Sequence, residues 1–574
     1  MASLQGNRVR GHTYWRIVES RRVNGRPRPV LVAYLGRADD MLQRLRSEDP
    51  IRIRSFSHGA VAALWSLAGE LGVAATIDRH LALSGRRARP SRLDGQEPLP
   101  PRVHDGLSVG QSLTLVSIGR ACQATSKRGF SEWAKTTTLG ELAKVNEVEK
   151  LDSQHFWEQM DQVPLELISA IEAEIVQRAV EQFNLPVDTT LYDGTNFFTF
   201  IASTNKHTGL AQRGKNKQKR NDLRQVSVAM LCTRQHGIPL WHQTYAGQVA
   251  DAKSFHDFFP SICQRLTALK TGVDTLTVVY DKGNVSRTNQ ARVDASNLHY
   301  VTGLTVASQK KLVERANKLL APIELNDGET VMAHRTESEI WGKSRTVVVL
   351  VSERLREGQI QGILQHVKSA QEWLSDLAAS LARGKQKRSR SRIAYDIEAR
   401  LRGRQHLAEV LTYDLVGDDP HLKLSYGFNQ AALDQLAEET LGRLVLITSR
   451  HNWSTADIIE CYRSQAAVEA LFAHLKDPVH IALRPQFHWT DQKLHIHVLT
   501  CVLSHLLARL LYLKATMLGT DIKSQEALLT ALTRVRRTTI ARGAGTKRKL
   551  RVATQLEEID ASLEDILPKL GVHC

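Results

Sequence analysis

The six cysteines, Cys122, Cys232, Cys263, Cys461, Cys501 and Cys574, lie along 574 residues without one C-x2-C pair. That absence excludes a zinc knuckle and a disulfide framework, and it fits a reducing compartment. The 22 histidines show no paired His/Cys ligand spacing either. No apolar signal segment opens the chain. Long hydrophobic runs are also missing. The most apolar stretch, 498–513, contains His505 and Arg509. It is too short and too polar to cross a bilayer and reads as a buried core helix. The expectation is a cytoplasmic protein with no membrane partner.

What is present in excess is positive charge. Lys and Arg total 77 against 60 Asp and Glu, a net charge of +17 with a pI near 9.6. Such an excess is the footprint of a polyanion binder, whose affinity falls steeply with salt through counterion release. Hydrophobic content of 42% supports large cores, and the length allows three or four domains at ~150 residues each.

One stretch organises the rest. Residues 460–478 read ECYRSQAAVEALFAHLKDP. Val468, Leu471, Phe472 and Leu475 recur at helical spacing and make an apolar stripe. Tyr462, Glu469 and Lys476 recur every seven residues, nearly two turns, so one continuous helix would point them the same way. Pro478 ends it. Two further carboxylates close short β-rich runs before Gly-containing turns: Asp193 in LPVDTTLYD-GTNFFTF and Asp281 in LTVVYD-KGNVS. Charges at the ends of buried strands are where α/β folds place functional groups. Three convergent carboxylates are hard oxygen ligands for Mg2+, and two such ions form the clamp used for in-line phosphoryl displacement.

These motifs resemble a DDE transposase of a bacterial insertion sequence, in the group marked by Y-x2-R-x3-E-x6-K. Tyr462, Glu469 and Lys476 fall on that motif's Tyr, Glu and Lys, and Gln465 stands where the group has Arg. YDGTNFFTF is similar to the first-Asp motif and VVYDKGNVS to the second. The gap from Asp281 to Glu469 is about twice that from Asp193 to Asp281, as in members with a β-rich insertion before the Glu. The resemblance extends to LRPQFHWTDQKLHIHVLTCVLSHLLARLL and to YWRIVESRRVNGRPRPVLVAYLG, and covers most of the chain.

The resemblance implies an enzyme that cuts transposon ends and joins them to target DNA. It implies two Mg2+ ions, with Mn2+ as a substitute, held by Asp193, Asp281 and Glu469. DNA contacts are expected from Tyr462, Lys476, Arg463, Gln465, Arg213, Lys215, Lys217 and Lys127. The implied partners are double-stranded DNA and a second copy of the chain on it, in association with the bacterial nucleoid. A ribonuclease-H-like nuclease without strand transfer, or a DNA-binding protein that has lost catalysis, are the alternatives.

In chain order, 1–40 reads as a basic β-hairpin with Asn24-Gly25 as a type I′ turn. Its arginines are either solvated or contact phosphate. Residues 41–184 read as a mainly helical DNA-binding region with a linker at 85–106. In it, RACQATSKRGFSEWAKTT is either a DNA contact around Lys127 or an amphipathic helix with its aromatics in the core. The first part of the catalytic core spans 185–305, with strands at 188–193, 196–202, 226–232, 276–281 and 299–304. Together these fit an α/β sheet of ribonuclease-H type. The loop 207–225 carries Arg213, Lys215 and Lys217. An insertion, β near its end, spans 306–450. The core resumes at 451–520, and 521–574 is a basic, partly helical tail that could mediate dimerisation.

Overall fold

Val278 and Val279 lie in a four-residue strand, TVVY, buried throughout. A strand apolar on both faces belongs in the middle of a sheet. The computed structural model places it there. It describes residues 2–23, 26–40, 42, 51–87, 103–124, 126–214, 216, 220, 222–269, 275–383, 389–419, 421–483, 488–542, 551–557, 559 and 561–574.

The central sheet has nine strands, numbered here in chain order: β1 Thr189–Thr199, β2 Arg224–Thr233, β3 Pro239–Ala246, β4 Thr277–Tyr280, β5 His299–Leu304, β6 Ala321–Glu324, β7 Thr330–Ile340, β8 Lys343–Val351 and β9 Arg443–Thr448. Their spatial order is β6-β7-β8-β9-β5-β4-β1-β2-β3. β4 runs parallel to β1 and β5, and the other pairings are antiparallel. Successive side chains alternate between faces. Tyr192, Tyr280 and Val278 therefore join one apolar cluster, while Leu191, Val279 and Val301 join another with Val468, Leu471 and Phe472.

The expected α/β sheet is thus present at the level of a large mixed sheet, with several boundaries redrawn. The two strands expected at 188–193 and 196–202 are one strand, β1. Gly194 does not turn; it continues the ladder opposite Ala229. A Cβ there would lie 3.0 Å from Tyr245 Oη, so the glycine makes room for that ring. β3, β6 and β7 were not expected. The insertion is narrower than 306–450, because β6–β9 belong to the central sheet. What projects is 352–442, mainly helical: Glu353–Ala382, Arg390–Arg402 and Gln430–Glu439 around the hairpin Leu411–Val416 and Lys423–Phe428. It has its own apolar core.

N-terminal to the sheet lie the helices Gly59–Glu70, Val73–Arg87, Val109–Cys122, Ser153–Asp161 and Ile168–Phe183. Asp152 caps Ser153–Asp161, accepting from the N–H groups of Gln154 and His155. The linker expected at 85–106 lies largely outside the described residues. The tail is not separate: Arg536–Arg542 pairs with Ile51–Ser57, and His58 Nε2 lies 2.7 Å from the His573 carbonyl oxygen. The 498–513 stretch falls in the helix Asp491–Met517, long and apolar enough to cross a membrane. Its most apolar window is 89% buried inside the protein, against helices Gly59–Glu70 and Val109–Cys122 and strand β3.

A buried ionic set ties the helical region to the sheet. Glu172 of helix Ile168–Phe183 lies 2.5 Å from His242 Nδ1 on β3 and 3.4 Å from the Arg265 guanidinium of helix Asp251–Leu269. All three side chains are buried. Glu172→Leu would strand Arg265 without its carboxylate, a loss that costs about 3–5 kcal/mol. Urea unfolding should show that loss, and a variant as stable as the parent would contradict the role given to Glu172.

Candidate functional site

Parallel pairing of β1 with β4 matches Thr189 to Thr277 and Tyr192 to Tyr280. One residue further along each strand, Asp193 and Asp281 stand side by side, on the face opposite the two tyrosines. Asp281 follows the end of β4 and precedes the one-turn helix Lys282–Asn284. Asp193 sits inside β1 rather than at its end, and its Oδ1 accepts from the Gly194 N–H at 2.7 Å.

The 460–478 stretch is two helices, Thr455–Arg463 and Ala466–Lys476, instead of one. Ser464 turns its hydroxyl back to the Cys461 carbonyl at 2.5 Å, a local bond that competes with the helical ladder. The break does not scatter the motif. Tyr462, Gln465, Glu469 and Lys476 all line the cleft that contains Asp193 and Asp281, a space of about 1210 Å³. Tyr462 Oη donates to Asp281 Oδ1 at 3.1 Å. A Cβ on Gly303 of β5 would come within 2.8 Å of that hydroxyl, so the glycine admits the phenol. Burial raises the Tyr462 pKa, and the charges of Asp281, Glu469 and Asp193 push it further up. The phenol stays protonated and remains a donor. Lys476 Nζ donates to Thr195 Oγ1, two residues beyond Asp193 on β1. Glu469 is exposed to the cleft.

A fourth carboxylate, Asp251, shares the cleft and was not singled out from sequence. It opens helix Asp251–Leu269. Its Oδ2 and Asp281 Oδ2 are each 3.8 Å from the point a Gly283 Cβ would occupy. The available signal was an acid at a helix start after a Gly turn, which also describes an ordinary first-turn acid. Among the described residues, no three His, Cys, Asp or Glu side chains stand close enough to hold one ion as placed. The acids line one cleft without forming a closed cage.

The other expected DNA contacts divide. Arg463 lines the cleft, but its guanidinium is engaged by Glu329 in a two-bond fork of 2.7 and 3.0 Å. With Glu460 accepting from the Asn326 N–H at 2.6 Å, this fastens the β6–β7 turn to helix Thr455–Arg463. Gln465 Nε2 is buried with no hydrogen-bond partner among the described residues. Arg213 is exposed; Lys215 and Lys217 lie outside the described residues.

Lys127 is not the DNA contact expected from sequence. It is buried, not on a DNA-facing surface, with Nζ 3.2 Å from both His488 Nε2 and His497 Nδ1. Neighbouring Arg120 donates to the carbonyls of Ile481 and Ala482 at 2.6 and 3.0 Å. Phe130 is in the core, edge-on to Trp133 and Phe156. Arg120 and Lys127 of the basic-aromatic segment are therefore packing groups that satisfy the loop after the Glu469 helix, while Arg128 and Lys135 are exposed.

No family model matches the sequence, and no curated protein matches it. Among solved structures, one similar chain is the piggyBac transposase in a synaptic complex with hairpin DNA. The likeness covers 82% of this chain and 78% of that one, at a TM-score of 0.36 and 8% identity. A likeness of that size carries no weight for the site.

Burial lowers the Lys127 pKa to about 7, helped by the charge of Arg120. Its folded pKa thus lies below its unfolded one, so the unfolded chain binds the extra proton between about pH 7 and 10.5. This group's contribution to stability then rises with pH in that window, by up to about 1.4 kcal/mol per unit. Relative to Lys127→Met, the parent protein should gain stability between pH 7 and 9 in denaturant unfolding. Parallel profiles would contradict a neutral buried lysine.

Proposed function

We propose that the protein is a DNA transposase of the DDE type, cutting transposon ends and joining them to target DNA. One observation carries the proposal. Asp193, Asp281 and Glu469, far apart in sequence, line one cleft with Tyr462 bonded to Asp281 and Lys476 held on β1. The block β3-β2-β1-β4-β5, three antiparallel strands followed by two parallel ones, supports a ribonuclease-H-like core. The transposase likeness reported above agrees with this proposal but adds nothing to it.

The donor chemistry fits a hard divalent cation. Asp193 and Asp281 offer adjacent carboxylates, and the exposed Glu469 side chain is free of core packing that would hold it away. These three residues would hold Mg2+, or Mn2+ in its place. Bound there, two ions would supply activation of the attacking hydroxyl and stabilisation of the leaving oxygen.

The chain's own groups do the remainder. Tyr462 fixes the Asp281 carboxylate through its hydrogen bond and keeps its proton. Lys476 and Lys282 bring point charges to the cleft for phosphate oxygens. The net charge of +17 draws duplex DNA to the protein. Work on two ends at once calls for two copies of the chain.

Glu469→Gln keeps the shape and removes the charge. With Mg2+ and a supercoiled plasmid carrying the sequences that flank the coding region, the variant should lose cleavage at least ~100-fold. Binding to the same DNA should stay as in the parent. Full cleavage by the variant would refute the assignment. Cleavage by the parent without joining of cut ends to target DNA would leave a nuclease of the same core.

A further inference from the structure

Near the N-terminus Ala2–Val9, His12–Val23 and Arg26–Arg37 form a three-stranded antiparallel sheet, one strand more than the hairpin expected from sequence. The Asn24-Gly25 turn lies outside the described residues. Within residues 2–37 there are eight arginines, no lysine and one acid, Glu19, a formal charge of +7 out of +17 for the whole chain. Glu19 can neutralise only one of them.

The sheet has almost no core of its own. Among its described residues only Val18, 3% exposed, counts as buried, while Leu31, Val32 and Tyr34 are 56%, 55% and 60% exposed. None of its described residues belongs to the three apolar clusters formed among the described residues. Three strands gain stability from an apolar face only when something covers it. Cross-strand neighbours set the composition of the faces. Arg16 stands between Gln5 and Tyr34, bonding Gln5 Oε1 at 3.4 Å, and Tyr14 stacks on Tyr34 at 6.4 Å. Arg8 shares the opposite face with Trp15 and Leu4.

We propose that this sheet is a duplex-DNA clamp separate from the catalytic cleft, held on phosphates by its arginines and on bases and sugars by its exposed tyrosine and aliphatic side chains. Charge chooses the occupant. Two copies of a +7 surface repel each other, whereas a phosphate backbone neutralises both. The exclusive use of arginine agrees, because a planar fork meets phosphate and guanine edges with two bonds at once where an ammonium meets them as a point charge. The hairpin formed by two of its strands, His12–Val23 and Arg26–Arg37, has the width of the two-stranded β-ribbon that the major groove admits. The choice of transposon ends as the duplex rests on the proposed function; the clamp itself does not.

The test is a full-length triple variant at three exposed positions, Arg8→Gln, Arg10→Gln and Arg28→Gln. Fluorescence anisotropy would follow binding to a labelled duplex from the flanking sequences and to an unrelated duplex, across a salt series. Circular dichroism would confirm the parental fold, and light scattering would report the oligomeric state. The clamp predicts at least a tenfold loss of affinity and a log–log salt slope shallower by about 2 to 3. The matching arginine-to-lysine variant should retain the slope and lose part of the affinity. Unchanged affinity and slope overturn the proposal, as does a change of oligomeric state alone, which would make the sheet a protein interface. If Glu469→Gln still cleaves while the triple variant loses binding, the catalytic assignment falls and the clamp stands; the reverse pattern removes the clamp alone.

Discussion

Two carboxylates are fixed one strand apart by the parallel register of β1 and β4, and the cleft is arranged around that pair. Side-by-side like charges destabilise a sheet. This sheet tolerates them because both face open space, and because Tyr462 donates to Asp281 while Lys282 and Lys476 line the same cleft. The tyrosine pays for that bond with burial, which with three nearby acids keeps its proton in place. Two glycines are part of the same arrangement: Gly194 clears space for Tyr245 and Gly303 for Tyr462.

The chain travels far to complete this cleft. After β8 it leaves the sheet for the module 352–442 and returns as β9, the strand that pairs directly with β8. The detour therefore extends the molecule without splitting the sheet. Helix Ala466–Lys476 then packs on β1 and β2, which puts Glu469 and Lys476 on the wall of the cleft that the two aspartates line. The last segments return to the first: Arg536–Arg542 extends Ile51–Ser57, and helix Gln525–Arg534 packs on Gly59–Glu70. The helical region is closed by these C-terminal segments and bound to the sheet through Glu172, His242 and Arg265.

What sequence made legible followed from period. The apolar stripe Val468, Leu471, Phe472, Leu475 is buried as its spacing requires, and the shared spacing puts Glu469 and Lys476 of one helix on the cleft, which Tyr462 reaches from the preceding helix. The interruption at Ser464 is not legible in the sequence, because a serine inside a helical pattern announces its back-bond only through geometry. Asp193-Gly194 looks like a turn by composition, and only the register with β2 shows the strand running on. β7, TVMAHRTESEI, is largely polar and exposed and buries only Val331 and Ala333 in its first half, so it carries too weak an alternation to read as a sheet strand. Lys127 illustrates a different limit. A lysine beside Phe130 and Trp133 fits a DNA surface as well as a core, and the histidines that receive it, His488 and His497, are over 350 residues away.

The proposed function requires that Asp193, Asp281 and Glu469 together hold divalent metal. Anomalous scattering from crystals of the protein grown with Mn2+ and duplex DNA tests it most directly. The account predicts two manganese peaks ~3.5–4 Å apart in this cleft, with oxygens of all three residues as ligands. Peaks elsewhere, or Glu469 turned out of reach of any ion that the aspartates hold, would contradict it.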